Sequence, residues 1–158
     1  MTLEAQDEQR AAVKDRLVGA PITQNVGFLL AKLHAVGSIV NNRALAEFHL
    51  KERSYSVLML AASGLEPTQR EMADFLSLDP SQIVTLVDEL EKRKLVARAP
   101  GKQDRRARIV TATSKGKELL AQAAIAVQRA EADVFAALDQ DETGRLTALL
   151  RKALWGDA

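Results

Sequence analysis

The chain has 158 residues and a net charge of +1, with 47% hydrophobic and 27% charged residues, a balance typical of ordinary soluble proteins. It contains no cysteine, which excludes disulfides, thiolate metal ligands, cysteine nucleophiles and thiol-based redox sensing. The first 25 residues lack the apolar core of a signal peptide, and no run of about 18 apolar residues predicts a transmembrane helix, so we expect a cytoplasmic protein without membrane partners.

Apolar residues at three- and four-residue steps predict helices through the first third of the chain. A weakly amphipathic helix is predicted over residues 3–18, broken before Pro21, and a longer helix is predicted over about 23–48. The next helix, about 54–63, is predicted to begin at Ser54, whose hydroxyl suits an N-cap.

Two shorter helices follow in close succession. Thr68 with Glu71 three residues later has the spacing of a capping box and predicts a helix start. Pro80 suits the first turn of the next helix, about 80–93, because proline lacks the N–H that would be unpaired there. These two helices with their short turn predict a helix-turn-helix, although a plain helix pair in an α-rich core has the same pattern.

The hydrophobic period then changes from helical to alternating. Residues 95–99 and 108–112 predict two short strands, and 100–106 between them predict a polar, basic hairpin tip. Residues 92–108 hold eight basic residues against one acid, a net charge of +7, so the rest of the chain carries −6. Such a patch suits phosphate binding, whereas a solvated charged loop is the alternative for the charge run alone.

Two final helices are predicted over about 114–137 and 141–155, the first capped by Thr113. The long helices at both ends of the chain carry more Leu, Val and Ala than a small winged-helix unit needs, which favours a dimer interface; an intramolecular helical bundle is the alternative. The predicted fold is therefore mainly α with a small β-hairpin wing, a winged helix-turn-helix flanked by long dimerisation helices.

The second helix of a helix-turn-helix enters the DNA major groove, and its first turn here offers Ser81, Gln82 and Thr85. Glutamine can bond adenine through two hydrogen bonds, and the hydroxyls can bond base edges or phosphate. The remaining candidate DNA contacts lie at the helix start and in the wing: Thr68, Gln69, Arg98, Lys102, Arg105, Arg106 and Arg108.

The residues of the wing resemble those of a known family. The chain resembles the MarR transcriptional regulators at residues 104–108 (DRRAR), 110–111 (VT) and 113–116 (TSKG), and 68–96 resemble their helix-turn-helix. The resemblance covers about 24–155. It implies a homodimer that binds an inverted-repeat operator in double-stranded DNA, most often as a repressor. It further implies dimerisation helices in 1–50 and 113–158 around a DNA-binding lobe in 51–112.

The resemblance also assigns roles within the wing. Asp104 would pair with Arg106 or Arg108 and hold the tip in shape, while Arg105 or Arg106 would enter the minor groove. Many members of the family respond to small, often aromatic anions bound between the dimerisation helices and the lobe. The candidate pocket residues are His34, Arg43, Arg53, Tyr55 and Met59. For His34, a core or interface position within an apolar stripe is the competing interpretation.

An enzyme is not expected. His34 and His49 are the only histidines, and the sequence shows no Gly-rich phosphate loop, nucleophile elbow, or ligand spacing for a metal or cofactor. A small hydrolase or lyase would need such a set. The remaining alternative to a regulator is a helical interaction module whose basic hairpin binds an acidic protein rather than DNA.

Overall fold

The computed structural model describes residues 12–13, 15–101 and 108–156. The chain divides into two compact units, Met1–Gly37 and Ser38–Ala158. None of the helices in these described ranges combines the length and apolarity needed to span a bilayer.

The first unit begins its described part with helical residues at 15–18, so most of the helix predicted over 3–18 lies outside the described residues. A short 3₁₀ helix, Pro21–Gln24, leads to α1, Val26–Leu45, which continues into the second unit. The side chain of Asn25 accepts a hydrogen bond from the Phe28 N–H at 2.9 Å and so caps α1. This confirms the predicted second helix and sets its start at Val26.

Three helices follow in the second unit: α2, Glu52–Ala62; α3, Gln69–Leu76; and α4, Pro80–Lys92. The prediction that Ser54 is the N-cap of α2 is wrong, because the helix begins two residues earlier. The Ser54 hydroxyl accepts from the Lys51 N–H and donates to the Lys51 carbonyl, both at 2.9 Å. It therefore stabilises the first turn from inside the helix.

The predicted hairpin is confirmed. Strand β1, Val96–Pro100, pairs antiparallel with β2, Arg108–Ala112. The hairpin is joined to the start of α3, because the Val110 N–H donates to the Pro67 carbonyl at 2.8 Å. This bond fixes the wing strands beside the helix-turn-helix.

The chain closes with α5, Ser114–Val134, and α6, Gln140–Trp155. The Thr113 hydroxyl caps α5 by accepting from the Gly116 N–H at 3.0 Å, as predicted. Near the end of α6, Trp155 stacks on Phe75 of α3 with ring centroids 6.0 Å apart.

One hydrophobic core holds the second unit together. Its largest fully buried side chains come from the end of α1, from α2 to α4 and from the hairpin: Leu45, Val57, Leu58, Met72, Ile83, Val87, Leu90, Leu95, Val96 and Val110. Ala123 and Val127 of α5 belong to the same core. The core of the lobe therefore continues beyond residue 112, and the predicted dimerisation role of 113–158 remains a prediction.

The backbone approaches a neighbouring segment closely at Gly116, in the first turn of α5. A Cβ atom built there would lie 2.0 Å from the Leu95 carbonyl oxygen and 3.3 Å from a methyl carbon of Leu58. Glycine is needed because no larger residue fits without moving the backbone at the start of the wing.

Gly116→Ala is expected to destabilise the protein by about 1–3 kcal/mol or more, since overpacking forces backbone shifts. Thermal unfolding should show a lower Tm. Gly144→Ala in α6 is the matched control, because a Cβ there meets nothing within 4 Å. That change should raise stability by up to about 1 kcal/mol through helix propensity. Equal effects of the two substitutions would contradict the packing argument.

Candidate nucleic-acid interface

Helices α3 and α4 form the predicted helix-turn-helix. The turn between them passes through Ser77, which has the left-handed conformation (φ 52°). The Leu78 N–H then donates to the Ala73 carbonyl at 3.0 Å. This compact turn leaves the first turn of α4 exposed at Ser81 and Gln82.

Asp79 organises the beginning of α4. Its Oδ1 accepts hydrogen bonds from the Ser81 hydroxyl at 2.5 Å and from the Ser81 N–H at 2.7 Å. These two bonds, the hydroxyl first, lower the pKa of the Asp79 carboxyl below its ordinary value. The carboxylate thus caps the helix and fixes the side chain that follows it.

The three predicted recognition residues are exposed, but they offer different chemistry. The Ser81 hydroxyl proton is donated to Asp79, and the Thr85 hydroxyl donates to the Ser81 carbonyl at 3.0 Å. Both oxygens keep acceptor capacity. Within the described ranges the Gln82 side chain makes no hydrogen bond, so both its donors and its acceptor can bond a base.

Arg53 lies beside these residues. The arginine, exposed on α2, lines a groove of about 260 Å³ together with Ser81, Gln82, Thr85 and Leu86. Arg53 was predicted to line a ligand pocket, and that role stays a prediction. In the structure this cation lies beside the first turn of α4, a juxtaposition that depends on how α2 packs on α4.

The start of α3 is capped as predicted. The Thr68 hydroxyl accepts from the Glu71 N–H at 3.2 Å, and Glu71 Oε2 accepts from the Thr68 N–H at 2.7 Å. The backbone bond, followed by a second bond from the Thr68 hydroxyl, lowers the pKa of Glu71. Thr68 therefore serves first as a cap.

The basic wing is described in part. Arg108 is exposed at the start of β2. The predicted tip residues Lys102, Asp104, Arg105 and Arg106 lie outside the described residues.

Arg98 differs from the other predicted cations, because its side chain is only 14% exposed. Its Nη2 pairs with Asp88 Oδ1 at 2.5 Å, its Nη1 with Glu91 Oε2, and its Nε donates to Gln69 Oε1 at 3.0 Å. Burial lowers the pKa of Arg98, but the hydrogen bonds to Asp88 and Glu91 and the charges of these carboxylates together raise it above its ordinary value, so the guanidinium stays charged. We call these four residues the Arg98 junction.

The predicted pocket residues fall in both units, and their common site stays a prediction. His34 is exposed in the first unit, and Arg43 and Met59 are exposed in the second. Tyr55 is half-buried, and this burial, followed by the charge of Glu131, raises the pKa of its hydroxyl.

A cleft of about 570 Å³ lies in the second unit among different residues: Asn42, Ala46, His49, Leu50 and Lys51. Sequence reasoning missed it because the lining follows the 3₁₀ turn Ala46–Phe48 and the left-handed His49 (φ 51°), which the helical pattern did not indicate.

Comparisons with known proteins agree with this architecture. The sequence model of the MarR family matches residues 50–107. A MarR-family transcriptional regulator of Rhodococcus sp. RHA1, solved by crystallography, is 35% identical with a TM-score of 0.81, over 87% of this chain and 97% of that one. The chain belongs to the MarR family.

Further MarR relatives extend the comparison. CouR from Rhodococcus jostii RHA1 bound to p-coumaroyl-CoA is 35% identical over 89% of this chain and 99% of that one, with a TM-score of 0.79. A transcriptional repressor CouR bound to a 23-mer DNA duplex is 26% identical over 85% and 96%, with a TM-score of 0.76. A putative regulatory protein for the hcr operon of Thauera aromatica is 33% identical over 98 residues, 62% of this chain and 59% of that protein.

The predicted family and winged-helix fold are thereby confirmed, and the chain is a MarR-family transcriptional regulator. The family consists of non-enzymatic DNA-binding regulators, which favours a DNA partner over the alternative of an acidic protein partner.

The Asp79 cap predicts a specific acid sensitivity. Because the folded pKa of this carboxyl is lowered, its contribution to stability is present above the unfolded pKa and is lost as the pH falls through the acidic range. Asp79→Asn keeps a good N-cap but removes the titration. Its Tm should fall less than that of the wild type between about pH 7 and about pH 3.

Asp74→Asn, at an exposed position of α3, controls for the change in net charge. If Asp79→Asn and Asp74→Asn have the same pH profile as the wild type, Asp79 does not carry this stabilisation.

Proposed function

We propose that this MarR-family chain is a homodimeric repressor that binds an inverted-repeat operator and is released by an aromatic, anionic effector. The observation that carries the DNA-binding part is the exposed first turn of α4, where Gln82 has an unengaged side-chain amide and Arg53 lies beside it. A basic wing follows the same helix in the sequence.

The exposed groups divide into two kinds of contact. Gln82 suits the edge of an adenine, and Ser81 and Thr85 can accept hydrogen bonds from base amino groups. Arg53 and Arg108 are exposed cations suited to phosphate. Of the predicted wing residues, Lys102, Arg105 and Arg106 would bind the minor groove and backbone, with Asp104 shaping the tip.

A second copy of the chain would cover apolar surface that one copy leaves open. In the first unit, more than 40% of each of several large apolar side chains is exposed: Val13, Leu17, Val18, Ile22, Val26, Leu29, Leu30 and Val36. On α6, Leu149 and Leu154 are 66% and 68% exposed. Surfaces of this kind commonly mark protein interfaces, and these two segments are the ones the sequence assigns to dimerisation.

Selection of bound duplexes from a random library tests the proposal. The selected sequences should contain an inverted repeat with half-sites about one helical turn apart, because a two-fold dimer presents two recognition helices. Binding should weaken as salt rises. Gln82→Ala should relax the preference at one base pair in each half-site, by about 1–3 kcal/mol.

Gln128→Ala, at an exposed position of α5, is the matched control and should leave the selected motif unchanged. Absence of any enriched motif, or enrichment of a single unrepeated half-site, would refute sequence-specific binding by a two-fold dimer.

Two observations support an effector: the ligand bound by a relative and a cleft in this chain. The CouR relative binds p-coumaroyl-CoA, an aromatic thioester with anionic phosphates. The cleft of this chain has a volume of about 570 Å³, within the range of small-molecule sites. Its lining includes Asn42, His49 and Lys51. The side chains of His49 and Lys51 can donate hydrogen bonds to an anion. We therefore propose an aromatic acyl-CoA as the effector class.

One side chain connects this cleft to the recognition helix. Arg93, the C-cap of α4, donates to the His49 carbonyl at 2.6 Å and to the Phe48 carbonyl at 2.8 Å. A ligand that displaces the 46–49 turn would shift these bonds and with them the end of α4. Ligand binding and DNA binding would then oppose each other by the same coupling factor.

A panel of aromatic acids, their CoA thioesters and free CoA tests the effector class. A matching thioester at a hundredfold excess over Kd should stabilise the folded protein by about 2.7 kcal/mol and so raise its Tm. It should release the selected duplex. It should also raise expression from a promoter that carries the operator.

Lys51→Ala should weaken the thioester response, and Lys117→Ala, an exposed lysine of α5, should not. If no thioester stabilises the protein or releases DNA, this effector class is wrong while operator binding stands.

A further inference from the structure

We infer that Arg98 is a positioning residue, which locks the recognition helix α4 to the wing and to α3, and that it does not itself bind DNA phosphate. The inference rests on the proposed DNA-binding function, and it changes the role that the basic patch suggested for this residue.

All three nitrogens of the Arg98 guanidinium already bond protein side chains. Their acceptors belong to Gln69, Glu91 and Asp88. A phosphate would have to displace a carboxylate from a side chain that is 14% exposed. The released carboxylate would then face the polyanion without its partner, which is unfavourable.

The charge of the junction also argues against phosphate binding. One cation faces two carboxylates, of which Asp88 is 48% and Glu91 41% exposed. The junction therefore presents more negative than positive charge to an approaching backbone. For that reason Arg98 should be left out of the phosphate-binding cations of the +7 segment.

One of the two carboxylates, Asp88, lies on the face of α4 that is predicted to meet DNA. Ser81, Thr85 and Asp88 follow at steps of four and three residues, and such residues share one side of a helix. Holding Asp88 in place therefore also fixes the direction in which the first turn points. Glu91 makes a second contact with β1, because its Oε1 accepts a hydrogen bond from the backbone N–H of Arg98 at 3.2 Å.

Gln69 brings a third element into the junction. Its Oε1 accepts from Arg98, while its Nε2 is buried without a hydrogen-bond partner among the described residues. Burying Nε2 without a partner is unfavourable. The bond from Arg98 to Oε1 therefore determines the orientation of the Gln69 side-chain amide. The start of α3, the face of α4 and strand β1 are thus linked through one side chain.

The salt dependence of operator binding separates positioning from phosphate contact. Arg98→Ala should weaken binding by about tenfold, which is about 1.4 kcal/mol, with the slope of log K against log salt unchanged. Arg98→Lys keeps the charge but not the forked contacts, so it should not restore affinity. A slope reduced by about 0.9 for each lost contact, or full affinity in Arg98→Lys, would show that Arg98 binds phosphate.

Removal of a carboxylate from the junction separates positioning from simple electrostatics, because the two predict opposite changes in DNA affinity. Asp88→Ala deletes a negative charge near the DNA and would strengthen binding if electrostatics alone acted. Positioning predicts weaker binding, by about fivefold or more. Glu89→Ala removes the same charge from an exposed site in the next position of α4, outside the junction, and should not weaken binding. If Asp88→Ala binds at least as tightly as Glu89→Ala, the inference is overturned.

Hydrogen exchange in the absence of DNA gives a readout that does not depend on the function. The Arg98 amide bonds the Glu91 carboxylate, so Arg98→Ala and Asp88→Ala should speed exchange in β1 while the buried amides of α2 stay protected. Unchanged exchange in β1 would refute the junction even if DNA binding were confirmed. Faster exchange in a protein that selects no duplex would support the junction and refute the DNA-binding proposal.

Discussion

Burial of one face of α4 is the constraint from which the rest of the lobe follows. Ile83, Val87 and Leu90 are 0%, 0% and 1% exposed and pack in the same core as α2, α3 and the hairpin. Because a helix is rigid around its axis, burying this stripe fixes its rotation. The opposite face, with Gln82 and Thr85, must then face solvent, where DNA can reach it.

Apolar packing alone is not directional, so the polar contacts determine the exact position of α4 in the lobe. Asp79 fixes the beginning of α4 through Ser81, and Arg93 holds its end to the 46–49 turn. The Arg98 junction joins its exposed face to the wing. Helix α4 is therefore held at both ends and along one side.

Helices and hairpin were predictable because their signals are local. The capping box at Thr68, Pro80 at the start of α4 and the alternating pattern around residue 110 each involve neighbours within a few positions, and each appears in the structure. The start of α2 was misplaced at Ser54 since a serine near a helix start can cap it or bond from within the first turn. A sequence pattern does not separate these two geometries.

The assignment of side chains to sites was less predictable. Arg53 and Ser81 meet only because α2 packs on α4, and Arg98 turned inward because two acids one helical turn apart, Asp88 and Glu91, face it from another element. By itself, the sequence determined the winged-helix architecture, the family and the exposed recognition turn, because periodicity, capping and the wing signature are written in adjacent residues. Which cations remain free for phosphate was decided by tertiary structure alone, since pairing depends on side chains that are distant in the chain.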